Sequence, residues 1–201
     1  MFATSFVLGY HGCEREVGQA ILSGENHVAI SENAYDWLGH GAYFWENSAE
    51  RALEWAEFLK QHPPRADRRI DEPFVIGAVI QVGDCLDLAD ARSLEIVRAG
   101  YEEFERTTSS AGAEMPVNEA AHPRDIDLVK RHLDCAVVNF VCLLRQQQGL
   151  KPFDTVRGVF TEGGPLYPGA KILAKTHAQI CVRDPRTSIK GYFRRVAEIE
   201  R

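Results

Sequence analysis

The chain has no apolar run approaching the ~20 residues that a membrane-spanning helix needs, so no spanning segment is expected. It has no surplus of positive charge: 23 Lys and Arg stand against 29 Asp and Glu, for a net charge of −6. That balance disfavours a protein held on nucleic acid mainly through phosphates, which needs a basic face. Arg65, Arg68 and Arg69 form one small basic cluster. Its five cysteines, Cys13, Cys85, Cys135, Cys142 and Cys181, contain no Cys-x-x-Cys or other zinc spacing, so no metal site is expected. Their odd number does not suit a disulfide framework, and a reducing cytoplasm fits best. The segment from Met1 to Gly9 is apolar but lacks a basic start and a small-residue cleavage site, so it does not read as a signal peptide. Internal repeats and low-complexity tracts are also missing.

What remains is an ordinary globular composition, 201 residues with 45% hydrophobic content, which favours a single domain over residues 1–201. Residues 5–10 read as a short buried strand ending at His11-Gly12, followed by a helix over 14–23. Residues 25–41 have no period and read as a loop. Ala42 to Trp45 reads as a brief strand, and Asn47 or Ser48 caps a helix to about Gln61, stopped by His62-Pro63-Pro64. Phe74 to Val82 is apolar except for Gln81 and reads as a central strand. Residues 91–106 suggest a helix, and Thr107 to Pro123 a surface loop. Residues 124–148 suggest another helix, because Ile126, Val129, Leu133, Val137, Phe140 and Leu144 recur at three- and four-residue steps. Strands are expected at Arg157–Thr161 and Thr176–Arg183, with a Gly- and Pro-rich loop between them. The expected class is α+β, with residues 85–150 as a helical insertion.

Three segments carry chemistry. Tyr10-His11-Gly12 puts an imidazole at a strand end, beside a glycine that lets a ligand approach the backbone. Gly39-His40-Gly41-Ala42-Tyr43-Phe44-Trp45 joins a glycine turn to an aromatic strand. It is preceded by Ser31, Asn33 and Tyr35 and followed on the next helix by Trp55. In the last strand, alternation turns Ala178, Ile180 and Val182 to the core and sends His177 and Gln179 to the other side. Each segment alone is compatible with a structural role.

In combination, these segments resemble the diphtheria-toxin and poly(ADP-ribose) polymerase branch of the ADP-ribosyltransferases, whose members use a His, Tyr, Glu triad. The resemblance covers about residues 5–60 well and 157–190 moderately. It implies a split mixed or antiparallel β-sheet core with flanking helices, and NAD⁺ as co-substrate. It further implies that His11 holds the adenosine-side ribose, that Gly12 pairs with the nicotinamide amide, and that Tyr43 stacks on nicotinamide with Trp55 as a second aromatic. Ser31 and Asn33 would join the cofactor site. Ala52 falls near a position where the family often carries a small hydroxyl residue. Gln179 stands where the family has its Glu.

Cleaving the nicotinamide–ribose bond develops an oxocarbenium-like charge, which a carboxylate stabilises and a glutamine only positions. The resemblance therefore implies single-unit transfer to a macromolecular acceptor, protein or nucleic acid, as in a bacterial toxin or defence effector checked by an inhibitor protein. Glu162 is either a base for the acceptor or a surface charge, and His177 is placed to meet the acceptor. Three alternatives stay open: an NAD⁺-binding module without catalysis, an NAD⁺-consuming RNA 2′-phosphotransferase, and a hydrolase using Cys13 with His11. The enzyme reading expects His11, Tyr43 and Gln179 to face one cleft on the same side of the sheet.

Overall fold

The computed structural model describes residues 5–63, 69–120 and 127–195. Arg65, Arg68 and Ile126 lie outside them, as does Pro64. The elements run β1 (Phe6–Glu14), α1 (Arg15–Leu22), β2 (Ala42–Glu46), α2 (Ala49–Gln61) and β3 (Pro73–Gln81). Then follow β4 (Cys85–Asp87), α3 (Ala91–Ser110), β5 (Asn118–Glu119), β6 (Lys130–Arg131) and α4 (His132–Gln147). The chain closes with β7 (Thr155–Phe160), β8 (His177–Val182), α5 (Pro185–Ser188) and β9 (Ile189–Arg194). The class is α+β, as the sequence suggested.

Seven strands form one mixed sheet in the order β4-β7-β8-β2-β1-β3-β9. β4 pairs parallel to β7, and every other neighbour is antiparallel. Register sorts the side chains. Phe44 lies opposite Ile180, and His11 opposite Ile76, so these four share a first face. There Phe44, Ile76, Ala78, Ile80, Ile180 and Val182 pack with Ile21 of α1 and with Val28. The second face carries Tyr10, Gly12, Tyr43, Trp45, Gln179 and Cys181, by the same register. It is covered at one end by α2 and at the other by α4, whose Val137, Val138 and Val141 pack with Val156 and Cys181.

Local chemistry explains the seating of α2. Asn47 takes a left-handed backbone, and the Ser48 side chain accepts the Arg51 amide hydrogen to cap the helix. The helix then buries Ala49, Ala52 and Ala56, a stripe small enough to lie directly on β1. A Cβ on Gly12 would sit 2.0 Å from the Ala52 carbonyl oxygen, so the glycine is required by this packing.

Several boundaries differ from expectation. β1 does not end at Gly12, because β3 pairs alongside it as far as Glu14. The helix predicted from 124 begins only at His132. Lys130 and Arg131 pair instead with Asn118 and Glu119, and the Asn118 Oδ1 accepts the backbone amides of Leu133 and Asp134. A distant side chain thus caps α4, which local periodicity does not reveal. Residues 107–110 extend α3 rather than opening a loop, Cys85–Asp87 joins the main sheet as β4 rather than beginning a helical insertion, and α5 and β9 have no sequence expectation.

Candidate functional site

The sheet forks where two of the three motifs meet. β1 and β2 pair at Gly9↔Glu46 and Tyr10↔Trp45. Past that point β1 stays with β3, and β2 stays with β8. His11 crosses the gap: its Nδ1 lies 2.9 Å from the Tyr43 carbonyl oxygen. A carbonyl only accepts, so Nδ1 carries the hydrogen and Nε2 is left with a lone pair. That lone pair has no hydrogen-bond partner among the described residues.

Burial pushes the His11 pKa down, against the smaller upward pull of its bond to the Tyr43 carbonyl. The folded protein therefore resists a proton that the unfolded chain accepts, and stability should fall as pH drops below 6.5, the ordinary histidine value. Urea midpoints measured on either side of that pH check this. The loss should be smaller in His11→Gln, and an equal loss in both proteins would contradict it.

The phenol of Tyr43 is already committed. Its hydroxyl donates to the Gly39 carbonyl at 2.7 Å and accepts the Leu38 amide at 3.0 Å. It thereby closes the turn in which Gly39 has φ 76°. Burial raises its pKa far above the usual phenol range, so it is no acid or base here. The turn is also clamped from α4, since Asn139 accepts the His40 amide while Arg183 donates to the His40 carbonyl. Ser31 and Asn33 brace the same loop, with the Asn33 amide donating to the Ser31 hydroxyl at 2.8 Å and Ser31 bridging Gly41.

A polar and aromatic cluster occupies the second face beyond Tyr43. Gln179 lies opposite Trp45 in register. Its Oε1 accepts the Trp37 indole hydrogen at 3.3 Å, and its Nε2 lies 3.1 Å from the His177 Nε2. The His177 ring stacks on Phe160, with centroids 5.1 Å apart. Trp37 packs against Phe160, and the Arg131 guanidinium lies over both rings. Arg131 also reaches Glu162 at 3.6 Å, so that carboxylate is half-buried and paired. Trp37, Phe160 and Arg131 are the three members that the sequence did not single out. Trp37 sat in a loop without period, and Arg131 inside a stretch read as helix.

The three motifs thus lie on adjacent strands, but their side chains divide. Tyr43 and Gln179 share the second face, whereas His11 leaves from the first. The expected common side is corrected by strand alternation: the Tyr10↔Trp45 register fixes His11 on the Phe44 side, with ring centroids 5.8 Å apart. Trp55 joins an outer row with Trp45 and Phe58, at 6.1 and 5.6 Å, rather than facing Tyr43. Cys13 is buried beside α1, and burial, with Glu14 nearby, pushes its pKa up to about 11. No hydrogen bond joins it to His11, whose Nδ1 is spent on the Tyr43 carbonyl, so the two are not set up as nucleophile and base.

A hollow of about 610 Å³ lies past the other end of β8, lined by Phe153, Asp154, Arg183 and Thr187, and does not reach Gln179. Among the described residues, no group of three or more His, Cys, Asp or Glu side chains is arranged to hold a metal. No described helix is long and apolar enough to cross a membrane. Compared with known proteins, this chain matches no family model, no curated protein and no solved structure.

Proposed function

We propose that this chain is an ADP-ribosyltransferase, which cleaves NAD⁺ and transfers ADP-ribose to a protein or nucleic-acid acceptor. The observation that carries the reading is the fork between β1 and β2, with the His11 imidazole bridging to Tyr43 and Gln179 one strand further on. Beyond Tyr10↔Trp45 no ladder pairing joins β1 to β2 among the described residues, and in this reading the ligand lies between the parted strands. An extended dinucleotide threaded there meets His11 on one side and the Tyr43–Gln179 surface on the other. The division of the side chains is thus compatible with one ligand.

In this reading the free Nε2 of His11 accepts a hydrogen bond from a hydroxyl of the adenosine-side ribose. The Tyr43 ring offers a flat wall to nicotinamide, its hydroxyl being occupied by the turn. Gln179 holds the 2′-hydroxyl of the reacting ribose. As the glycosidic bond breaks, its electron pair passes to the nicotinamide nitrogen and positive charge gathers on the ribose. The Gln179 amide orients that sugar without supplying a full charge, which suits transfer of a single unit. Five free cysteines agree with work in a reducing cytoplasm. A toxin or defence role under an inhibitor protein rests on the family-level analogy of the sequence motifs alone.

The test is direct. Purified protein incubated with NAD⁺ should release nicotinamide. His11→Ala should raise the KM for NAD⁺ by roughly three- to tenfold, the loss of one neutral hydrogen bond. A second reading, an NAD⁺-binding module, draws on Gln179 itself, whose amide is uncharged and engaged on both sides by Trp37 and His177. Saturable NAD⁺ binding with no nicotinamide released, with or without a cell lysate as acceptor source, would establish that module and reject the transferase.

A further inference from the structure

We propose that His177, and not Glu162, is the general base that takes the proton of the attacking acceptor; this rests on the NAD⁺ reading above. The hydrogen-bond chain around Gln179 fixes every polarity along it. The Trp37 indole nitrogen can only donate, so the atom it meets on Gln179 is the carbonyl oxygen. The other amide atom is then the nitrogen, which donates to the His177 Nε2 at 3.1 Å. Nε2 must accept and therefore carries no hydrogen. At the opposite side of the ring, Nδ1 lies 2.6 Å from the Lys175 carbonyl and must donate to it. His177 is thus held as the neutral tautomer, its basic nitrogen turned toward the carboxamide that would position the reacting ribose.

The ring plane is set by the Phe160 stack, with 16° between the planes. Glu162 lacks this freedom, because the Arg131 guanidinium lies against it while also covering Trp37 and Phe160. Glu162 is already held by Arg131, and a carboxylate is by nature a weaker base than an imidazole. An acceptor hydroxyl, amine or water has only to displace one amide N–H to reach Nε2. The step balances: the acceptor lone pair forms the new bond to the ribose anomeric carbon, nicotinamide leaves with the old bonding pair, and the acceptor proton passes to Nε2. Release of that proton to solvent restores His177.

NAD⁺ alone is the probe, with water as acceptor, and free nicotinamide is followed alongside NAD⁺ affinity by calorimetry. His177→Gly should lower kcat by about 100-fold or more while leaving the NAD⁺ Kd within about threefold, and added imidazole should restore turnover. His177→Asn, which keeps an oxygen facing the Gln179 amide but no base, should be equally slow. Turnover near the parental rate in either variant would overturn the assignment. So would a slow, folded His177→Gly protein that imidazole does not revive. If the parent protein binds no NAD⁺ and releases no nicotinamide, the NAD⁺ reading itself has failed, and the role of His177 falls with it.

Discussion

Gly12→Ala is expected to destabilise the protein by roughly 3 kcal/mol or more, because the added methyl group overlaps a helix backbone with no room to yield. For a chain of this length that corresponds to a drop in Tm of roughly 6–12 °C. The reason is spatial and not conformational, since Gly12 does not adopt a left-handed backbone. Its Cβ would meet the Ala52 carbonyl at 2.0 Å and the Ala56 methyl at 3.1 Å. Gly164→Ala is the matched control, because a Cβ there meets nothing within 4 Å. A thermal melt of the two variants beside the parent decides the matter. Equal Tm values for all three would mean that α2 does not rest on β1 at this point. The comparison also separates two roles for one residue: a glycine kept for helix packing damages stability first, and a glycine kept only for ligand approach damages binding alone.

The second large effect concerns turnover. On the transferase reading, Gln179→Leu keeps the volume of the side chain and removes both of its hydrogen-bonding atoms. Nicotinamide release should fall about 100-fold or more in kcat, with a smaller change in KM, because the lost contact serves the ribose on which charge develops. The fold should be little affected, since the indole and imidazole left behind are half-buried and within reach of water. Steady-state kinetics with NAD⁺ reads this directly. A Gln179→Leu protein with parental kcat would place the reacting ribose somewhere else.

Much of the architecture was legible in the chain because the informative residues act locally or with period two. The alternation His177, Gln179 against Ile180, Val182 was readable from strand geometry, and the register carries it through. A cap at Asn47 or Ser48 was readable from the local residues, and Ser48 supplies it. Three things depended on partners remote in sequence. The start of α4 is set by Asn118, the extension of β1 by β3, and the face taken by His11 by the register of β1 against β2 and β3. A one-residue change in that register would reverse His11, and nothing in Tyr10-His11-Gly12 encodes it. Trp37 was hidden for another reason. Its importance comes from Gly158, which leaves space for the indole beside Gln179, and the two positions are more than a hundred residues apart.

The parallel pairing of β4 with β7 limits how this protein can be re-engineered. Two parallel neighbours cannot be joined by a tight turn, and the chain needs about a dozen residues or more to return to its starting end. Here that return is made by α3 and α4. Replacing the helical pair with a short linker would leave β7 able to follow β4 only in the reversed direction, which its present pairing with β8 forbids. A minimal version of the protein must therefore either retain a helical return or discard β4 together with it.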